Sequence, residues 1–296
     1  MRKYDATFSR RTFLGGAAGV AASSLFPHSL YAAGGAKPDS NYNGVQIGAI
    51  TYSYRSMPST AEDLLGYLVQ NGLSSVELMG GPAEEFAKRH TPETGVDGPM
   101  DGYKSLRKMY NKAGVNIHIA KFGNIGERDM SDEQVDYYFR AAKALGAKGI
   151  TREMSKGIAK RLGPLADKHK IIIAFHNHTQ ITPTTYDGNF LSYGKYLGIN
   201  LDIGHYVGGT GESPIPVIEK HHDRILSLHL KDRKKNDGPN MPWGEGDTPI
   251  KEVLQYIKKN KLKIVGDIEV EYPIPAGSDA AKEVGRCAQY CKEALA

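Results

Sequence analysis

Ile225-Leu226-Ser227-Leu228-His229-Leu230-Lys231-Asp232 is a short apolar run that breaks off into ionisable residues. It reads as a buried strand whose carboxyl end carries chemistry. Seven other runs of this kind surround it, at residues 45–51, 75–79, 115–121, 149–153, 171–176, 199–203 and 263–270. Between them lie amphipathic segments with helix signals. Ser59-Thr60-Ala61-Glu62 reads as a capping box and Asn71-Gly72 as the matching stop. Ser131-Asp132-Glu133 opens a helix that runs to Leu145-Gly146, Thr248-Pro249 opens another, and Ser278-Asp279 the last. Strand and helix alternating eight times require parallel strands with helical crossovers. Eight such units close into an α/β fold, the (β/α)8 TIM barrel, of roughly 250 residues. An open doubly wound sheet would want a glycine-rich loop after the first strand, and Ile50-Thr51-Tyr52-Ser53-Tyr54-Arg55 has none.

The chain has 296 residues, 40% hydrophobic and 24% charged, the proportions of a soluble globular protein. Its two cysteines, Cys287 and Cys291, exclude a disulfide scaffold; four apart in a helical tail, they read as reduced thiols on one face. The first 36 residues are set apart. Ser9-Arg10-Arg11-Thr12-Phe13-Leu14 puts paired arginines before a weakly apolar stretch at 15–26, with small residues at Ala32, Ala33 and Ala36. This has the form of a twin-arginine export signal. The stretch is too short and too diluted by Gly and Ser for an anchor, which needs roughly 18–20 strongly apolar residues. Residues 1–36 are therefore expected to be an export signal, and 37–296 a single barrel domain, periplasmic or otherwise outside the cytoplasm, with no integral membrane span. The leader carries +3 of the net +5, and the remaining +2 is no nucleic-acid-binding surplus.

In a barrel the chemistry sits where strands end. The ends here are Val76-Glu77-Leu78-Met79, Thr151-Arg152-Glu153-Met154, Phe175-His176-Asn177-His178, Leu201-Asp202-Ile203-Gly204-His205, Leu228-His229-Leu230-Lys231-Asp232 and Ile268-Glu269-Val270-Glu271-Tyr272. One histidine at a strand end is more often a hydrogen-bonded structural residue than a ligand. Five consecutive strands each delivering His, Asp or Glu crowd several carboxylates into one bowl. Like charges that close repel, and a cation resolves the repulsion. Mixed carboxylate and imidazole donors suit one divalent ion, Mn²⁺, Co²⁺, Zn²⁺ or Fe²⁺ (Mg²⁺ also admitted), better than Ca²⁺. Residues 234–243, rich in Asn, Asp, Gly and Pro, read as a flap over the bowl. Trp243 in that flap either stacks on a sugar face or anchors the loop. Lys231 either polarises a carbonyl or lies on the surface, and His178 either meets substrate or holds its own loop. Glu77 and Glu271 read as supporting residues, Tyr137-Tyr138 as packing, and His221-His222 as solvated helix-end charges.

At these residues the sequence resembles the xylose isomerase-like barrel superfamily of divalent-metal sugar isomerases, epimerases and inosose dehydratases. The resemblance spans about residues 45–295. It rests on an ordered set: Leu201-Asp202-x-x-His205, then His229-Leu230-Lys231-Asp232, Trp243-Gly244-Glu245-Gly246 and Ile268-Glu269. It implies metal ligands at Asp202, His229 and Glu269, with His205 on substrate hydroxyls. The fourth ligand of the epimerase branch is a Glu where this chain has His176, while Glu153 ends the preceding strand. That pairing resembles the inosose dehydratase branch. It favours Glu153 as the fourth ligand and His176 as a substrate-facing acid/base, with the reverse assignment open.

The expected activity is a metal-dependent isomerase or epimerase acting on a small carbohydrate, a non-phosphorylated sugar or keto-sugar, through an enediolate. Glu153, His176 and Glu269 are the catalytic candidates, and His178, His205, Lys231 and Trp243 the substrate-binding ones. A lyase or dehydratase on the same site is the alternative reading. Phosphodiester or apurinic-site hydrolysis would want a more basic groove. An exported sugar-binding protein without catalysis would not need converging ionisable ligands. Whether the chain forms a homo-oligomer is left open.

Overall fold

A computed structural model describes residues 36–91 and 99–296, which form one compact unit. The expected leader, with Arg10 and Arg11, lies outside the described residues apart from Ala36. Eight parallel strands stand in sequence order: β1 (Val45–Ile50), β2 (Ser75–Met79), β3 (Asn116–Lys121), β4 (Gly149–Glu153), β5 (Ile172–His176), β6 (Leu197–Asp202), β7 (Ile225–Leu230) and β8 (Val265–Ile268). β8 pairs with β1, with Gly48 opposite Asp267, and closes the barrel. A two-residue strand, Asn41–Tyr42, adds antiparallel to the start of β1. The expected (β/α)8 barrel is therefore the observed fold.

The connections are α1 (Ala61–Gln70), α2 (Gly80–Arg89), α3 (Pro99–Ala113), α4 (Asp132–Leu145), α5 (Lys156–His169), α6 (Ile203–Thr210), α7 (Ile215–His221), α8 (Ile250–Asn260) and α9 (Ala280–Ala294). The box that starts α1 uses Thr60 and Asp63, one residue later than Ser59 and Glu62. Ser131 and Gln134 box α4, and Gly146 ends it in the left-handed region at φ 76°, where an L side chain is strained. The β5–β6 connection departs from the expected alternation. It contains a 3₁₀ turn, Asn189–Tyr193, and no α-helix. Its sequence explains this, because Pro183, Gly188 and a run of threonines suit turns rather than helix. Among the described residues no helix is long and apolar enough to cross a membrane.

Residues alternate along each strand. Val76 and Leu78, Ile173 and Phe175, Ile199 and Leu201, and Leu228 and Leu230 are buried in the apolar core with the helices. The residues between them, Glu77, Ala174, Asn200 and His229, are small or polar, and the polar ones bond to one another inside the barrel. At the floor His118 of β3 joins Ser75 of β2 at 2.9 Å and Asp267 of β8 at 2.9 Å. Above it Glu77 of β2 accepts from Thr151 of β4 and is met by Asn200 of β6 and His229 of β7. Bonds between non-adjacent strands place these side chains inside the barrel.

Candidate active site

Asp202 ends β6 and also caps α6. Its Oδ1 accepts the backbone N–H of His205 at 2.7 Å, which explains the Asp-x-x-His spacing as a cap and its third helical residue. Oδ2 is thereby left to face the lumen. The Asn177 side chain clamps the backbone of the same residue, donating to the Asp202 carbonyl at 3.1 Å and accepting its N–H at 3.0 Å. Register places His229 of β7 opposite Asp202, and Glu269 follows the end of β8. Ser53 fixes that end, donating to the Ile268 carbonyl and accepting from Val270 N–H.

Ligand atoms of Asp202, His229 and Glu269, all buried, lie within 4.8 Å of one another. Asp202 Oδ2, His229 Nδ1 and Glu269 Oε2 are buried, and none completes a hydrogen bond of proper geometry. Such atoms are costly unless something else satisfies them. His229 directs Nε2 to Glu77 Oε2 at 3.0 Å, which leaves Nδ1, 3.1 Å from Glu269 Oε2, as the nitrogen that a cation would take in place of a proton. Burial alone would lower the His229 pKa, but Glu269 and Glu77 push it well above the ordinary value. Likewise burial would raise Glu269, and Lys231 and His229 hold it well below. The donor set fits a divalent cation: two carboxylate oxygens and an imidazole nitrogen, oriented by a carboxylate behind the imidazole.

His176 belongs to two further clusters, one with Asp202 and His205, the other with Glu153 and His178. Its Nδ1 meets Asn200 Oδ1 at 2.8 Å. Asn200 turns its amide N–H₂ to Ser227 and the Glu77 carboxylate, so its oxygen accepts from His176 Nδ1–H and Nε2 keeps a lone pair. Burial, then the neighbouring His229 and Lys121, hold His176 neutral, well below the usual imidazole range. Glu77 thus sets both histidines, one directly and one through Asn200.

Glu153 groups with His176 and His178, and with none of Asp202, His229 or Glu269. Its carboxylate bridges Lys121 Nζ at 3.2 Å and His178 Nε2 at 2.8 Å at the rim, where the two side chains are 45% and 51% exposed. Partial burial would raise Glu153, but the His178 hydrogen bond and Lys121 bring it down to about 2. The same hydrogen bond raises His178 against burial. His205 stacks on His178 at 4.8 Å and accepts at Nδ1 from Arg233 at 2.7 Å. Lys231 is buried, in contact with Asp202, Glu269 and Glu271.

Asp232 organises the flap. It accepts from the N–H groups of Gly244 at 2.8 Å, Gly246 at 2.9 Å and Thr248 at 3.2 Å. A Cβ on Gly246 would stand 1.9 Å from Asp232 Oδ1, so that position admits glycine only. Trp243 packs edge-on against Tyr290 of α9 at 5.6 Å, the contact of a loop anchor. His221 is not a solvated helix-end charge: its side chain is 13% exposed and pairs with Asp187 at 2.9 Å. Tyr137 and Tyr138 do pack, edge to face, and the free thiols Cys287 and Cys291 are buried. Sequence reading missed Asn177, Asn200, Lys121 and Arg233. Asn200 shares with Asp202 the strand alternation that marks lumen-facing positions; Lys121 is out of phase with His118 because the register shifts along that strand pair, and Asn177 carried no signal.

The family model described as "Xylose isomerase-like TIM barrel" matches residues 65–291. The chain belongs to the xylose isomerase-like TIM barrel family. Solved structures agree. A probable 3-DHS dehydratase from Bacillus anthracis, involved in petrobactin synthesis, matches with TM-score 0.65 and 14% identity, over 83% of this chain and 98% of its own. A sugar phosphate isomerase/epimerase from Parabacteroides distasonis gives 0.60 and 19%, over 85% and 95%. An L-ribulose 3-epimerase gives 0.62 and 11%, over 85% and 94%. At these identities the likeness to those structures carries the fold alone. No curated protein sequence matches the chain.

Proposed function

We propose that this family member is a divalent-metal-dependent isomerase or epimerase that moves a proton beside the carbonyl of a non-phosphorylated sugar or keto-sugar. The observation that carries the reading is the triad of buried atoms, Asp202 Oδ2, His229 Nδ1 and Glu269 Oε2, that converge without completing hydrogen bonds. These three residues would hold the ion. We assign the fourth position to His176, which clusters with Asp202 and keeps a lone pair on Nε2, in preference to Glu153, which does not cluster with Asp202. A bound divalent ion supplies Lewis-acid polarisation of a carbonyl and its neighbouring hydroxyl, which acidifies the C–H between them.

Proton movement falls to the rim pair. His178, held by Glu153 through Nε2, takes the proton and returns it; Glu153 is too acidic to be the base itself. His205 has Nδ1 filled by Arg233, whose guanidinium only donates, so Nε2 carries a hydrogen for a substrate oxygen. Lys231 is the cation available to an oxyanion. The half-exposed Glu153–His178 pair also supports the lyase reading, since protonated His178 could assist a β-leaving group. The choice of a free over a phosphorylated sugar rests on the twin arginines at 10 and 11, which we take to direct export to the periplasm.

The test is turnover of metal-loaded protein on a keto-sugar panel in D₂O. Deuterium should appear at the carbon next to the carbonyl, in substrate or product. His229→Ala should fold, lose about one equivalent of metal per chain and lose exchange. Turnover with that hydrogen wholly retained would replace the proton-transfer roles with a hydride shift. Release of a leaving group would select the lyase.

A further inference from the structure

The Lys231 ammonium stands where two cation-seeking oxygens meet. Nζ lies 2.9 Å from Asp202 Oδ2 and 2.9 Å from Glu269 Oε2, two of the three atoms assigned above as ligands. A third carboxylate, Glu271, touches it from outside the triad and is 21% exposed, where Asp202 and Glu269 are 0% and 6%. Those three carboxylates surround the ammonium as ion pairs. His205 Nε2 is nevertheless only 3.1 Å from Nζ. Because Arg233 donates to Nδ1 of that ring, Nε2 bears a hydrogen, and the approach sets one donor against another. Lys231 is therefore paired in charge with the ligand oxygens and badly paired with His205. Its stem runs against Gly204, where a Cβ would lie 3.0 Å from Lys231 Cβ and Cγ.

We propose that Lys231 is an internal stand-in for the metal: it neutralises Asp202 and Glu269 while the site is metal-free, and yields them to the incoming ion while keeping Glu271. The handover rests on the metal reading above. It relieves the clash at His205, frees Nε2–H for substrate, and delivers the ammonium to the mouth only once the ion is in place. Metal loading and completion of the substrate site become one event. Lys231 is then a positioning residue for the metal as well as a substrate contact, and Glu271 is its second berth.

The experiment is a double-mutant cycle on Mn²⁺ affinity, measured by calorimetry on Lys231→Met, Glu271→Gln and the pair. Lys231→Met should bind Mn²⁺ about tenfold tighter than wild type, the scale of ordinary coupling between sites. Its metal-free form should melt at lower temperature, so that the gap between metal-free and loaded melting points widens. Glu271→Gln should weaken Mn²⁺ binding several-fold in the presence of Lys231 and not in the Lys231→Met background, because only a displaced ammonium needs the second berth. Equal weakening in both backgrounds would reduce Glu271 to a general negative charge and overturn the handover. Wild-type binding with Lys231→Met no tighter would overturn it too, leaving the metal reading intact. If Lys231→Met fails to fold, Lys231→Gln, alone and combined with Glu271→Gln, completes the same cycle. Absence of Mn²⁺ binding in every protein would overturn the metal reading and the handover together.

Discussion

Glu77 is fully buried and still reaches two histidines of the candidate site. It accepts from His229, Thr151 and Asn200, so that one carboxylate orients His229, the proposed ligand, directly and His176 through an amide. A carboxylate behind a ligand imidazole fixes its tautomer and raises its basicity, and its loss typically costs about 10–100-fold in metal affinity. Glu77→Gln should weaken metal binding by about that factor, with the fold retained by circular dichroism; unchanged affinity would mean that Glu77 only fills the lumen. The Glu153–His178 pair makes a separate prediction about pH. Glu153 favours the charged form of His178, so its pKa is raised above the ordinary 6.5. A base must be neutral, so turnover of metal-saturated enzyme should fall on acidification with a limb above that value. Glu153→Gln removes the raising hydrogen bond and charge, and the limb should move to lower pH. A limb that stays in place would show another group to be the base.

At the scale of elements, strands were readable and their connections less so. The spans 75–79, 149–153 and 225–230 match β2, β4 and β7, because a short apolar run with no helical periodicity has one place in this architecture. The β5–β6 connection was harder, since turn residues there break the alternation that the other units keep. The flap shows what a motif can mean mechanically. Trp243-Gly244-Glu245-Gly246 resembles a family signature, and in the structure its glycines bring backbone N–H groups onto Asp232. Gly244 has φ +94°, and Gly246 leaves no room for a Cβ. Gly246→Ala should therefore break this contact, destabilise the protein by about 2 kcal/mol and raise KM more than it lowers kcat. Denaturant unfolding and steady-state kinetics would check both; a stability change within about 0.5 kcal/mol would show that the loop absorbs the methyl group.

The whole molecule is held closed by a polar floor as well as by its apolar shell. Gly48 faces Asp267 across the β1–β8 seam, and a Cβ there would fall 2.5 Å from Asp267 Oδ1 and 2.9 Å from the Ser75 carbonyl oxygen. Asp267 in turn ties to His118 on the far side of the lumen. Gly48→Ala should strain the seam and the floor together, at a cost of about 2–3 kcal/mol, seen as a lower melting temperature in metal-free and loaded protein alike. A loss confined to the loaded form would locate the damage at the mouth instead.

The sequence by itself determined the barrel, the order of its strands and the residue types at their ends, because strand period and chain direction place every second residue inside and every carboxyl end at one mouth. Its resemblance to the family also singled out Asp202, His229 and Glu269 as ligand candidates. Only the tertiary structure decided what each does with its second atom. Asp202 gives one oxygen to a helix cap, His229 gives one nitrogen to Glu77, and Glu153 gives its carboxylate to His178 and Lys121. Those choices depend on contacts between strands far apart in the chain, 152 residues for His229 and Glu77, and a linear pattern carries no record of which donor meets which acceptor across a lumen.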